Sequence, residues 1–191
     1  GMRKAIADHM RGSIANTAQL SFILEIDVTE AQRMRREVSE SKGATITLAH
    51  ILIKACAETL KDHPEHNTVL GGGNILHFDD VNIGVAVALK EGLIVPVLRQ
   101  VQNKSIFEIS DGTHELAVKA REGKLLPDDV AGGTFTISVL GTVDGFTPIL
   151  NASQNAILGV GRSVKKPVVR DGDVVVREMS TVSLTVDHQA I

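Results

Sequence analysis

The sequence predicts an α+β fold, in which helices pack on a mixed β-sheet. Predicted strands outnumber predicted helices, and tight turns join several of them, with Asp171-Gly172 the clearest hairpin signal. The 191 residues suffice for one domain, and 43% of them are hydrophobic and 23% charged, as in ordinary folded proteins. With five Phe and neither Trp nor Tyr, the core must consist mainly of Val, Ile, Leu and Ala.

Four helices are predicted, and local capping signals mark where three of them begin. Thr29 with Gln32, and Ser105 with Glu108, have the spacing of a capping box, while Thr47 is a favourable N-cap for another helix. Because capping residues satisfy the free amide groups of a first turn, they locate helix starts well. The predicted helices cover residues 3–11, 29–41, 47–60 and 105–121.

The strands are predicted from alternating or continuous apolar runs. Leu20, Phe22 and Leu24 alternate with polar residues, so the first strand is expected to bury one face. The glycine triplet at 71–73 is expected to join two short strands as a hairpin. The predicted strands cover residues 20–28, 68–70, 75–78, 83–89, 93–98, 134–139, 156–161, 168–169, 174–176 and 180–188.

His188 lies at the end of the last predicted strand. It has the same parity as Val182, Leu184 and Val186, so the strand is expected to direct the imidazole inward. Such a histidine is either a hydrogen-bonded structural residue or a general base that works near neutral pH. The strand pattern alone leaves both interpretations open.

Three hydroxyl side chains share one face of the strand that begins after Gly132-Gly133. Thr134, Thr136 and Ser138 alternate with the apolar Phe135 and Ile137. A hydroxyl face of this kind is either exposed to solvent or, if covered, offers hydrogen-bond donors to a polar group. The neighbouring glycines do not form a dinucleotide-binding fingerprint, and the sequence contains neither a P-loop nor a G-x-S-x-G motif.

Charge, hydropathy and composition exclude several other functions. A net charge of −3 and few aromatic residues argue against a nucleic-acid partner. No apolar run approaches the ~20 residues that a membrane-spanning helix needs, and no signal peptide is expected. Cys56 is the single cysteine, which fits a reducing compartment. His63 and His66 flank Pro64 without a cysteine to complete a zinc pattern, so no metal site is predicted.

An ordered set of short motifs spans essentially the whole chain. Together these motifs resemble the catalytic domain of the dihydrolipoamide acyltransferases, the E2 components of 2-oxoacid dehydrogenase complexes, which share a fold with chloramphenicol acetyltransferase. The motifs are Arg3-Lys4-Ala5-Ile6-Ala7, Asp27-Val28-Thr29-Glu30, Lys54-Ala55-Cys56, Gly92-Leu93-Ile94-Val95-Pro96-Val97, Phe135-Thr136-Ile137-Ser138 and Asp187-His188.

The resemblance implies an acyltransferase of the EC 2.3.1 class that moves an acyl group from S-acyl-dihydrolipoyl to coenzyme A. It implies that His188 is the general base, that Ser138 stabilises the oxyanion, and that Arg35 lies near the coenzyme A phosphates. Arg33, Arg35 and Arg36 cluster, so a solvated basic face is the alternative for Arg35. The substrates implied are coenzyme A and a lipoyl group carried elsewhere, and the chain is expected to form a homotrimer or a larger trimer-based core. A lipoyl domain and the E1 and E3 components are the expected partners, with no nucleic acid and no membrane.

The sequence departs from the family pattern after the histidine. The family reads D-H-R-x-x-D-G, whereas here Asp187-His188 is followed by Gln189-Ala190-Ile191. The pattern's second acid and the family's C-terminal helix would lie beyond Ile191. Residues 1–191 are therefore expected to be a catalytic domain shortened at its C-terminus, without lipoyl or peripheral-subunit-binding domains. The expected location is the cytoplasm, or the mitochondrial matrix in a eukaryote.

Two other functions remain open at this point. An E2-like core could serve as a scaffold without catalysis, because the second acid is missing from these residues. A free small-molecule acetyltransferase, as in chloramphenicol resistance, would need no lipoyl domain. Acetyl, succinyl and branched-chain acyl groups are all compatible with the sequence.

Overall fold

A computed structural model describes residues 1–90 and 92–190. The α-helices are α1 (Met2–Asn16), α2 (Thr29–Lys42), α3 (Leu48–Asp62), α4 (Ile106–Glu122) and the short α5 (Pro127–Val130). The strands are β1 (Gln19–Asp27), β2 (Thr68–Gly71), β3 (Asn74–His77), β4 (Ile83–Val85), β5 (Val87–Leu89), β6 (Gly92–Ile94), β7 (Val97–Leu98), β8 (Phe135–Val139), β9 (Ala156–Arg170) and β10 (Asp173–Asp187). Within these ranges, none of the helices is long and apolar enough to cross a bilayer.

The main sheet has six strands in the order β1-β10-β9-β8-β4-β7. Strand β8 runs parallel to both of its neighbours, β4 and β9, and the other pairs in this sheet are antiparallel. Two small sheets, β2-β3 and β5-β6, lie outside it. The mixed sheet and the α+β class predicted from the sequence are therefore confirmed.

Helices α3 and α4 and the main sheet enclose the hydrophobic core. Its largest fully buried side chains include Ile53 of α3, Ile109 of α4, and Ile83 and Ile137 of the sheet. Phe135 is the aromatic member of this cluster, so the core is aliphatic, as the composition predicts. Close packing of branched side chains gives the sheet a rigid support on this face.

Two long strands replace four predicted ones. The segments around 156–161 and 168–169 are one strand, β9, and those around 174–176 and 180–188 are another, β10. Asp171 and Gly172 join them with φ angles of 52° and 92°, the left-handed conformation of a two-residue hairpin turn. The predicted turn is confirmed, whereas the predicted breaks within the strands are wrong.

Of the two predicted capping boxes, one forms and the other does not. Ser105 and Glu108 exchange both capping hydrogen bonds at the start of α4. Helix α2 does begin at Thr29, but the Thr29 hydroxyl accepts from the backbone N–H of Glu178, 2.8 Å away. The Asp27 carboxylate instead accepts from the Thr29 N–H. The Thr29 hydroxyl, which the local motif predicts as a helix cap, is therefore bound to β10 instead.

Strand β1 does not bury a face within the single chain. It is the edge strand of the main sheet and pairs only with β10 among the described strands. Phe22, Ile23 and Leu24 are 57%, 63% and 64% exposed. The prediction of one buried face is therefore wrong for the isolated chain, and an apolar strand edge stays uncovered.

Candidate active site

The hydroxyl face formed by Thr134 and by Thr136 and Ser138 of β8 is covered, and two of its three hydroxyls serve the fold. The buried Thr134 donates to the Asn67 side chain at 2.6 Å. The buried Thr136 donates to the Gln154 side chain, also at 2.6 Å. Buried hydroxyls need such partners, because an unpaired one costs the full desolvation energy. These two threonines are thus structural residues.

Ser138 differs from the two threonines. It is half-buried near the end of β8, and its hydroxyl makes no hydrogen bond to any described residue. It lies opposite Gly159 of β9, where an added Cβ would stand 3.0 Å from Pro148 and 2.7 Å from the Ser183 hydroxyl. The glycine leaves room for the 146–148 loop beside the serine. The Ser138 hydroxyl is therefore free to donate to a group outside its own chain.

His188 lies outside the strand that was expected to hold it. Strand β10 ends at Asp187, and His188 follows in a turn with an exposed side chain. The expectation of an inward imidazole is wrong for the single chain, because β10 and its alternation end one residue before His188. The His188 backbone N–H donates to the Ala18 carbonyl at 2.9 Å, which fixes the main chain beneath the ring.

The residues on either side of His188 form a polar cluster that the sequence analysis missed. Asp187 is fully buried and accepts from the backbone N–H groups of Ala18 and Gln189. The Gln189 side-chain amide donates to the same carboxylate. In the sequence, the cluster is visible only as the consecutive residues Asp187-His188-Gln189. Comparison with the family pattern shows that Gln189 replaces an arginine, but it does not show that Gln189 binds Asp187.

One chain does not bring Ser138 and His188 together. Ser138 is level with Gly159 of β9 and Ser183 of β10, and His188 lies five residues beyond Ser183. Two strand spacings are ~9.6 Å and five residues of strand ~16.5 Å, so the register separates them by ~19 Å. A site that contains both residues within hydrogen-bond reach of one substrate therefore needs Ser138 from one copy of the chain and His188 from another.

Arg35 lies on α2, at the other end of β1 from His188. Strand β1 pairs Gln19 with Asp187 at one end and Asp27 with Met179 at the other, and α2 follows Asp27. The Arg35 Nε donates to the Gln32 side chain at 2.8 Å. Arg33 is bound by Glu30 and Glu37, and Arg36 is 3.8 Å from Glu178, whereas Arg35 has no ion-pair partner in the described part of the chain.

Two other groups of reactive side chains are accounted for by the fold. Burial raises the pKa of the Cys56 thiol to about 12, so it stays protonated and unreactive near neutral pH. His63 and His66 flank Glu65, which lies 3.3 Å from His63 and 3.8 Å from His66. Burial lowers the pKa of the His66 imidazole. No cluster of three or more His, Cys, Asp or Glu side chains within residues 1–90 and 92–190 could hold a metal ion.

The fold is that of the chloramphenicol acetyltransferase-like proteins. A chloramphenicol acetyltransferase structure superposes with a TM-score of 0.56 over 96% of this chain and 86% of its own, at 13% sequence identity. That identity is low, so the likeness defines the fold alone. The fold predicted from the motif resemblance is confirmed.

The chain belongs to the family of 2-oxoacid dehydrogenase acyltransferase catalytic domains, whose model matches residues 1–191. It is 41% identical to the dihydrolipoyllysine-residue acetyltransferase component of the pyruvate dehydrogenase complex of Staphylococcus epidermidis, over 100% of this chain but only 46% of that protein. This chain thus spans less than half the length of that relative.

Two solved structures are also similar. One is the Azotobacter vinelandii dihydrolipoamide acetyltransferase, from work on a serine, a histidine and an asparagine in its catalytic mechanism; it is 38% identical with a TM-score of 0.92, over 98% of this chain and 80% of its own. The other is the cubic core of a pyruvate dehydrogenase multienzyme complex, also 38% identical with a TM-score of 0.92, over 99% of this chain and 81% of its own.

Proposed function

We propose that this chain catalyses acyl transfer from an S-acyl-dihydrolipoyl group to coenzyme A, within a 2-oxoacid dehydrogenase complex. The observation that carries this proposal is the unbound hydroxyl of Ser138. Its two neighbours on the same face are committed to buried hydrogen bonds, whereas Ser138 can donate to a substrate. Family membership and the serine and histidine studied in the Azotobacter relative support the assignment.

His188 acts as the general base. A thiol has a pKa of ~8.5, so most coenzyme A is protonated near neutral pH and reacts slowly until a base removes the proton. The His188 imidazole is exposed and accepts that proton. General-base catalysis of this kind contributes ~10²–10⁴ to the rate.

Ser138 stabilises the charge that develops after attack. The thiolate sulfur bonds to the carbonyl carbon of the acyl thioester, and the electron pair of the C=O bond moves onto its oxygen. Ser138 donates a hydrogen bond to this oxyanion, and removing one such donor typically costs ~10²–10³ in kcat. Collapse of the intermediate breaks the bond to the dihydrolipoyl sulfur, and His188 returns the proton to that sulfur.

The active site forms between subunits of a trimer. The ~19 Å separation within one chain means that Ser138 must meet His188 from a neighbouring subunit. Strand β1 offers a surface for such contact, since Phe22, Ile23 and Leu24 are exposed at the sheet edge. Uncovered apolar edge strands favour association with another chain. The cubic core to which this chain is similar supports assembly into a larger, trimer-based core.

Arg35 binds the coenzyme A phosphates. Its guanidinium has no acidic partner among the described residues, so it can pair with a phosphate without first breaking an ion pair. Coenzyme A is long, with its phosphates far from the thiol, which suits an arginine distant from His188. The lipoyl domain delivers the acyl group to this domain, whereas the E1 and E3 components bind through other domains of the protein, in the cytoplasm of a bacterial cell.

Acyl transfer from S-acyl-dihydrolipoamide to coenzyme A, followed by thioester absorbance with the full-length protein, tests this function. We expect saturable transfer with acetyl, succinyl or branched-chain donors. Transfer to a free hydroxylated acceptor, without use of dihydrolipoamide, would instead support a small-molecule acetyltransferase. An assembled protein that transfers no acyl group would support a scaffold.

A further inference from the structure

Asp187 is a fully buried carboxylate whose hydrogen-bond partners are all uncharged. It accepts from the Ala18 N–H at 3.0 Å and from the Gln189 N–H at 3.1 Å. The Gln189 amide nitrogen Nε2 lies 3.2 Å from one carboxylate oxygen and 3.3 Å from the other. Asp187 has no ion-pair partner among the described residues. A buried charge without a counter-charge persists only when hydrogen bonds fully satisfy it.

The Gln189 side chain also connects this carboxylate to the end of α1. Its Nε2 donates to the Asn16 carbonyl at 3.0 Å, so the two N–H bonds of the amide bind Asp187 and Asn16. Gln189 is exposed while Asp187 is not, so the amide covers the carboxylate on its solvent side. A side chain of the same length without N–H donors would remove the amide from the Asn16 carbonyl and from Oδ2 of Asp187, while Oδ1 of Asp187 would keep its two backbone donors.

Backbone hydrogen bonds hold the rest of this segment. The Asp187 N–H donates to the Asn155 carbonyl at 3.0 Å, and the His188 N–H donates to the Ala18 carbonyl at 2.9 Å. The His188 side chain itself makes no hydrogen bond to any described residue. The direction of its imidazole therefore depends on the main chain on either side of it, which Asp187 and Gln189 fix.

We propose that Asp187 and Gln189 are positioning residues, which form a carboxylate–amide clasp that holds His188 in place for proton transfer; this rests on the proposed function. General-base catalysis requires the base within hydrogen-bond reach of the thiol, and a displacement of ~1 Å can cost ~10²-fold in rate. The clasp touches no substrate and acts through the backbone of His188. Gln189 takes this role with an uncharged amide, where the family pattern has an arginine.

The test compares Gln189→Met, which keeps length but removes both donors, with Gln189→Arg, which keeps donors. On the full-length protein, Gln189→Met should lower kcat by ~10–10²-fold with both KM values unchanged within about twofold. Gln189→Arg should retain kcat within about threefold. Gln102→Met is the control, because it removes an amide contact to Asp80, 2.9 Å away, together with the acceptor of the Val81 N–H, and touches neither Asp187 nor His188; kcat of its folded fraction should equal that of wild type.

Hydrogen exchange gives a second measurement that does not depend on activity. In Gln189→Met the amides of residues 187–190 should exchange ~10-fold faster, while the rest of β10 is unchanged. Unchanged kcat and unchanged exchange would overturn the clasp and leave the proposed function intact. If Gln189→Met instead lowers kcat, raises both KM values and speeds hydrogen exchange throughout the domain, the substitution destabilises the whole fold. That result would also overturn the clasp. A wild-type protein without acyl transfer would overturn the proposed function, and the role of the clasp with it.

Discussion

Ser138 and His188 lie two strands and five residues apart in the main sheet, ~19 Å by its register, with the serine on β8 and the histidine just after β10. Both side chains lack hydrogen-bond partners among the described residues. Within one chain, the two side chains cannot contact the same substrate atoms. The chemical roles proposed for the two residues therefore depend on the assembly of the protein into an oligomer.

Removing the Ser138 hydroxyl should slow the chemical step alone. Ser138→Ala should lose roughly 2.7–4 kcal/mol of transition-state stabilisation, seen as a lower kcat. Both KM values and the pH profile should hardly change, because the donor acts on charge that exists only after attack. Steady-state kinetics of acyl transfer measure these quantities. Full kcat in Ser138→Ala would make Ser138 an ordinary strand residue.

Thr136→Val is the matched control for this serine. The Thr136 hydroxyl is bound to Gln154 inside the fold, so its loss leaves a buried amide oxygen unpaired. We expect a stability loss of about 1–3 kcal/mol in urea unfolding and an unchanged kcat for the folded fraction. The two variants together separate a hydroxyl that stabilises the fold from one that serves the reaction.

Loss of the His188 imidazole should change the pH dependence as well as the rate. His188→Ala should lower kcat by at least ~10²-fold. Its residual rate should rise as the pH approaches the thiol pKa of ~8.5, because solvent then supplies more thiolate. Rate measurements from pH 6 to pH 9, within ~2.5 units of that pKa, would show this. A residual rate independent of pH would mean that His188 is not the base.

Arg35→Ala should affect coenzyme A and spare the acyl donor. We expect a higher KM for coenzyme A, with kcat and the KM for S-acyl-dihydrolipoamide unchanged. The wild-type KM for coenzyme A should rise with salt more steeply than that of the variant, since ions screen the attraction between a guanidinium and a phosphate. Arg33→Ala is the control, because Glu30 and Glu37 already engage that guanidinium. If the KM for coenzyme A depends equally on salt in Arg35→Ala and wild type, Arg35 does not contact a phosphate and belongs to a solvated basic face.

His50 should make the stability of the domain depend on pH. Its Nδ1 accepts from the Thr47 N–H at 3.2 Å and completes the capping box of α3, while Nε2 lies 3.2 Å from the Thr113 hydroxyl. The neutral ring with its proton on Nε2 satisfies both contacts, and burial lowers the pKa of this imidazole below 6.5. The unfolded chain therefore takes up more protons as the pH falls below ~6.5, and the folded state loses stability.

Urea unfolding of wild type and His50→Gln measures this effect. Glutamine can accept from the Thr47 N–H as in an ordinary capping box, but it does not titrate. Between pH 7.5 and pH 5.5, one unit either side of ~6.5, wild type should lose more stability than His50→Gln. Parallel pH dependence of the two proteins would show that His50 is not held neutral by the fold.

Local motifs in the sequence predicted the structure where neighbouring residues alone decide it. The capping box of Ser105 and Glu108 and the turn at Asp171-Gly172 involve contacts within a few residues, and both form. The Thr29 cap failed because its hydroxyl bonds to the distant Glu178 of β10. Short-range patterns cannot anticipate a partner that the chain brings near only after folding.

The site was predicted less completely than the fold, and for a physical reason. The family resemblance pointed to Ser138 and His188, but strand parity gave His188 the wrong environment, since β10 ends at Asp187. The exposed apolar residues of β1 follow the pattern of a buried face, and that burial is not found within one chain. An alternation pattern reports that a face is covered without specifying which chain covers it.

The most direct test of the shared site is a mixture of two inactive subunits. When Ser138→Ala and His188→Ala chains are co-expressed in equal amounts, each site between neighbours draws its serine from one chain and its histidine from the next. In random trimers roughly a quarter of these sites receive both intact residues, so we predict about a quarter of wild-type kcat per site. If the mixed assemblies, with trimeric mass or a multiple of it, stay as inactive as either variant alone, Ser138 and His188 do not act across a subunit interface.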